Sequence, residues 1–88
     1  MNVKSKQIDQ FCVFTTDRVL TGQDGARFSS LEEAKTATGF PALLAANLFE
    51  GDDATDTVFV AGNDVIVGRT DRWSAADIET ARSTIGSL

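Results

Sequence analysis

Residues 57–69 read Thr57-Val58-Phe59-Val60-Ala61-Gly62-Asn63-Asp64-Val65-Ile66-Val67-Gly68-Arg69. Two short runs rich in β-branched and aromatic residues flank Gly-Asn, a pair suited to a two-residue hairpin turn. That turn fixes the register. Phe59 lies opposite Ile66 on one face, and Val60 meets Val65 and Val58 meets Val67 on the other. Both faces are apolar, so either both are covered or one is free to meet a partner. With helices over the Phe59 and Ile66 side, the opposite face, made of Val58, Val60, Val65 and Val67, is the candidate partner surface. The aspartate after the turn, Asp64, is expected to support it by side-chain to backbone hydrogen bonding.

Working outward, Trp73-Ser74 opens a helix. Trp73 is N′ and Ile78 is N4, the positions of a hydrophobic staple, and Asp77 at N3 serves a capping box. Ile78, Ala81, Ile85 and Leu88 keep helical spacing and should face the sheet. On the N-terminal side, Glu50-Gly51-Asp52-Asp53-Ala54-Thr55-Asp56 is a polar loop, preceded by a helix from Phe40-Pro41 to about Phe49. Proline is tolerated in a first turn, and Leu44 and Leu48 share a face. A shorter helix begins at Ser29 or Ser30, with Glu32 or Glu33 completing a capping box, and should end near Gly39. Before it come a strand around Phe11-Cys12-Val13-Phe14, a second short run Arg18-Val19-Leu20-Thr21, a turn at Gly22-Gln23-Asp24-Gly25 and a very short strand Ala26-Arg27-Phe28. Strands, helices, a hairpin and a final helix predict one α+β domain over residues 1–88, a two-layer structure with an antiparallel sheet and helices on one face.

The 88 residues suffice for a single small domain, and 42% apolar against 24% charged residues is a globular balance. A net charge of −5 with scattered Lys and Arg disfavours nucleic acid and acidic membrane surfaces as partners. No apolar run reaches the ~20 residues of a membrane span, and no signal-peptide core follows Met1-Asn2-Val3-Lys4-Ser5-Lys6, so a cytoplasmic protein is expected.

The absence of histidine removes the usual general base near neutral pH and the commonest metal ligand. The single cysteine, Cys12, cannot complete a four-ligand cluster or metal site, and its apolar strand marks it as a packing residue. Asp52, Asp53 and Asp56 lack the spacing and terminal glutamate of a calcium loop and read as solvated. No serine lies in a G-x-S-x-G context, and Gly22-Gln23-Asp24-Gly25 lacks the Gly-Lys-Ser/Thr ending of a phosphate loop. No catalytic residue, cofactor site or metal site is therefore expected. Trp73 fits a structural staple better than a recognition anchor.

Phe28-Ser29-Ser30-Leu31-Glu32-Glu33-Ala34, Leu44-Ala45-Ala46-Asn47-Leu48-Phe49, Val58-Phe59-Val60 with Gly62 and Asp64, and Trp73 occur in that order. This succession resembles the N-terminal domain of Nfu-type (NifU-like) iron–sulfur scaffold proteins. That domain has an F-x-S-type lead-in to a helix, an L-A-x-x-L-F helix, a V-F-F-G-x-D-F hairpin and a Trp opening the last helix. The resemblance runs from about Phe11 to Leu88. It departs at Pro41, which stands two residues upstream of the family's proline, and at Asp52-Asp53, where the family has Gly-Val. The stretch from Asp64 to Trp73 is short, and a T-P-N-P-N-like N-terminal signature is absent. The resemblance implies a two-layer α+β fold and a place in iron–sulfur cluster assembly or delivery. In the family the cluster is bound by a C-x-x-C motif in a separate domain, so no cluster ligand carries over to this chain. Three functional expectations follow. The first is a non-catalytic docking domain that binds a scaffold, carrier or client of iron–sulfur assembly. The second is a general interaction module unconnected with iron. The third is an enzyme using carboxylates such as Asp52 and Asp56 with a metal.

Overall fold

The structure, a computed structural model, describes residues 2–20 and 25–88. They form β1 (Val3–Ile8), β2 (Phe11–Thr16), β3 (Ala26–Phe28), α1 (Leu31–Thr36), α2 (Phe40–Gly51), β4 (Thr55–Ala61), β5 (Asp64–Arg69) and α3 (Ala75–Gly86). The Gly62-Asn63 turn closes as the sequence predicts: Gly62 takes φ 60°, Ala61 meets Asp64, and Phe59 pairs with Ile66, Val60 with Val65 and Val58 with Val67. A positive φ at the first turn position matches the twist of the strands, and only glycine adopts it without steric cost. All strands pair antiparallel in the order β1-β2-β5-β4-β3. This is the antiparallel α+β architecture read from the sequence, with all three helices packed against the sheet.

Helix ends follow capping chemistry. Ser30 caps α1, its Oγ accepting the Glu33 N–H at 3.1 Å, while Glu33 Oε2 accepts the Ser29 N–H at 3.4 Å. That decides between the two serines. The helix stops at Thr36, short of the expected Gly39, because Ala37 is already extended; Gly39, at φ 100°, instead leads into α2. In α3 the Ser74–Asp77 capping box is complete: Ser74 Oγ accepts the Asp77 N–H at 3.1 Å and Asp77 Oδ2 accepts the Ser74 N–H at 3.0 Å.

Two strand readings need correction. β1 was not anticipated, since Val3 and Ile8 are its only apolar residues; its place comes from pairing with β2 through the turn at Asp9-Gln10. Arg18, Val19 and Leu20 are not a strand. That segment lies against the hairpin turn, with the Leu20 N–H donating to Gly62 O at 2.7 Å. Thr21 and the Gly22-Gln23-Asp24 part of the predicted turn lie outside the described residues.

The largest correction concerns the two faces of the hairpin. The helices cover the valine side. Val58, Val60 and Val65 are 0% exposed and Val67 is 1%. β2 sets this choice: it pairs with β5 so that Cys12 sits beside Val67 and Phe14 beside Val65, extending one apolar face across the sheet. Leu44, Ala45 and Leu48 of α2 and Ala81 and Ile85 of α3 complete the core over that face. Leu88, expected to face the sheet, is exposed. Val58, Val60, Val65 and Val67 therefore cannot form a partner surface in the folded protein.

Candidate functional site

What the helices leave open is the other face of the sheet. The strand registers place three rows of side chains across it. The central row runs Lys6, Val13, Ile66, Phe59, Arg27, one residue from each of the five strands. Beside it run Ile8, Phe11, Gly68 and Thr57 on one flank, and Lys4, Thr15, Asp64 and Ala61 on the other. Ile8 is 50% exposed and Phe11 46%, while Val13, Phe59 and Ile66 are half-buried. The middle of the face is thus apolar, and its rims carry the exposed cations Lys4, Lys6 and Arg27.

Gly68 shapes this surface. A Cβ there would collide with Thr57 Oγ1 and come within 3.0 Å of Phe11 Cε1 and 3.2 Å of Asp56 Oδ1. The Phe11 ring thus leans over the glycine backbone, the aromatic cover that a strand glycine commonly receives. Phe11, Arg27, Thr57, Phe59 and Ile66 line a shallow depression of about 260 Å³. Asp64 faces this side too, and its Oδ1 accepts the Thr15 hydroxyl at 2.8 Å. Its role is a cross-strand bond rather than the expected turn contact. The turn is held instead by Asn63, whose amide donates to Thr16 O at 3.0 Å and whose carbonyl accepts the Thr16 N–H at 2.8 Å.

A second cluster sits where β5 leaves the sheet. Arg69 is 8% exposed, and its Nε donates to Asp52 Oδ2 at 2.6 Å and its Nη1 lies 3.0 Å from Asp77 Oδ2. It also donates to the Arg72 carbonyl, and its guanidinium lies 5.4 Å from the centroid of Trp73. Trp73 donates its indole N–H to Gln10 O at 2.8 Å and meets Phe14 edge-on, with ring centroids 5.9 Å apart. The buried cation thus ties the end of α2 to the start of α3, while the Arg69 backbone N–H and the Trp73 indole both donate to Gln10 O in the β1–β2 turn. Trp73 is structural, as its place before the helix predicts.

Asp52 does not belong to a solvated acidic loop. It pairs with Arg69 and its Oδ1 accepts the Ala54 N–H at 3.0 Å, whereas Asp53 and Asp56 are exposed. Among the described residues no three His, Cys, Asp or Glu side chains come together as a metal-binding group. Ser74 hydrogen bonds, from backbone and side chain, hold the Asp77 carboxyl below the usual carboxylate range, with Arg69 adding to the effect. Cys12 is fully buried, and burial pushes its thiol pKa up, away from the reactive thiolate. No helix among the described residues is long and apolar enough to cross a membrane.

The chain matches no protein-family model, no curated protein and no solved structure.

The open face was missed in the sequence because its apolar residues are interleaved with Thr, Asp, Lys and Gly. One signal was present. Between Val58 and Val67 the valine side of the two strands carries only valines, whereas the Phe59 side also carries Thr57 and Asp64. A mixed face of this kind is the more tolerant of water. Arg69 had no comparable signal, since its partners lie 17 and 8 positions away in the chain.

Proposed function

We propose that this chain is a non-catalytic docking domain that binds another protein through the open face of its sheet. The observation that carries the reading is the apolar set of exposed Ile8 and Phe11 with half-buried Val13, Phe59 and Ile66, on a face that no helix among the described residues covers. A contiguous apolar patch rimmed by polar groups is the usual mark of an interaction surface. The lack of histidine, the buried Cys12 and the pairing of Asp52 with Arg69 support a non-catalytic reading.

The setting we favour is iron–sulfur cluster assembly or delivery, with a scaffold, carrier or client as partner. Its support is the ordered resemblance to the Nfu N-terminal domain. In this chain Phe28-Ser29-Ser30 leads into α1, Leu44–Phe49 lies within α2, Val58–Asp64 spans the hairpin and Trp73 precedes α3. The test is affinity purification from the native host with the natural chain and with Phe59→Asp, each checked for folding by circular dichroism. The reading expects cluster-assembly proteins with the natural chain and their loss with the variant. Equal capture by both would end the open-face assignment. Capture of proteins unrelated to clusters, lost in the variant, would keep the docking role and remove the link to iron.

A further inference from the structure

The charge on the open face differs from that of the rest of the chain. Lys4, Lys6 and Arg27 stand on it against Asp56 and Asp64, in a protein whose net charge is −5. Asp64 is engaged with Thr15. The cations sit on opposite rims: Lys4 and Lys6 on edge strand β1, Arg27 on edge strand β3. Between Lys6 and Arg27 lie only Val13, Ile66 and Phe59. Four strand spacings separate the two ends of that row, about 19 Å.

The backbone adds a second constraint. β2, β5 and β4 are each paired on both sides, so their N–H and C=O groups are engaged within the sheet. An extended segment laid flat on this face would bring unpaired backbone groups onto apolar side chains, at a cost of a few kcal/mol each. A helix brings none, since its backbone bonds are internal. About 13 helical residues cover ~19 Å.

Resting on the docking reading, we propose that the partner presents an amphipathic helix laid across the strands, with an apolar stripe over Val13, Ile66 and Phe59 and acidic residues at both ends that meet Lys6 and Arg27. Such a helix would complete a third layer, matching the helices on the valine side. Single-stranded nucleic acid fits less well. Phosphate binding needs a continuous cationic track, and here the cations are split between rims with Asp56 and Asp64 on the same face.

The test uses the full chain and a labelled synthetic peptide of about 14 residues, with leucines at helical spacing and glutamates at both ends. A control peptide carries lysines in place of the glutamates, and a labelled oligouridine is the third probe. Fluorescence anisotropy at low salt is expected to show the glutamate peptide binding at least about tenfold tighter than the lysine peptide. The double variant Lys6→Glu/Arg27→Glu should reverse that order, and added salt should narrow it. Equal binding of both peptides that is lost in Phe59→Ser would overturn the acidic-helix proposal and keep the docking face. Binding unchanged by Phe59→Ser would remove both. No peptide binding, or tighter binding of oligouridine lost in the double variant, would overturn the proposal. So would a dimer in sedimentation that Phe59→Ser dissolves, since a second copy would then be the occupant.

Discussion

The hairpin formed by β4 and β5 has two apolar faces with opposite fates. Val58, Val60, Val65 and Val67 are sealed under α2 and α3, while Phe59 and Ile66, one residue over on the same strands, remain half-exposed. Side-chain hydrophobicity does not separate the two sets; phenylalanine and isoleucine are at least as apolar as valine. Continuity separates them. The valine face joins Cys12 and Phe14 of β2 into a surface without a polar residue at its centre, so burying it leaves no group short of water. The Phe59 face is interrupted by Thr15, Thr57, Asp64 and the lysines of β1. Only a helix that brings polar partners for those groups, acidic ones for the lysines above all, could cover it without stranding them.

Substitutions can break this contrast. Val60→Asp should have the largest effect, because it places an unpaired carboxylate at a site with no exposure. A loss of about 3–5 kcal/mol is expected, enough to unfold a domain of this size; a cooperative thermal melt retained at the natural temperature would contradict the assignment of that face. Arg69→Met comes next. It leaves Asp52 and Asp77 without their shared cation, although both carboxylates are partly open to water. The expected cost is about 2 kcal/mol in urea denaturation, with the midpoint lowered and the slope unchanged.

Gly68→Ala probes a close-packed position on the open face, since the added methyl would meet Thr57 and the Phe11 ring. A loss of about 1–3 kcal/mol is expected, and Thr57→Ala in the same chain should recover part of it. Phe59→Ser, opposite in character to Val60→Asp, should cost about 1 kcal/mol or less, with a native-like circular dichroism spectrum. A cost as large as that of Val60→Asp would mean that the two faces are energetically alike.

The smallest effect concerns pH. The folded-state pKa of Asp77 is lowered, chiefly by its Ser74 hydrogen bonds. A group with a depressed folded pKa contributes its stability in full above its unfolded value, near pH 4, and loses it as pH falls through the folded value. Melting temperature should therefore fall as the pH drops below about 4, and the fall should be shallower in Asp77→Asn.

Local chemistry made much of the fold legible. The hairpin register followed from Gly62-Asn63 because a two-residue turn admits one pairing. The start of α3 followed from Ser74 and Asp77, whose bonds form within one helical turn. β1 was not legible, because Val3-Lys4-Ser5-Lys6-Gln7-Ile8 carries little apolar signal and depends on β2 for its hydrogen bonds. The site was less legible than the fold. The residues of the open face could be named singly, but their assembly into rows depends on pairings between strands far apart in the chain.

The sequence by itself determined the turns, the caps and the pairing within the hairpin, all of which arise from contacts a few residues apart. It also determined that no histidine and only one thiol are present for chemistry. The tertiary structure alone decided which face of the hairpin is core and which meets solvent. That choice rests on β2 docking against β5 with Cys12 and Phe14 on the valine side, a long-range register that no local pattern encodes. It likewise decided that Arg69 is buried, because Asp52 and Asp77 reach it only after both helices are in place.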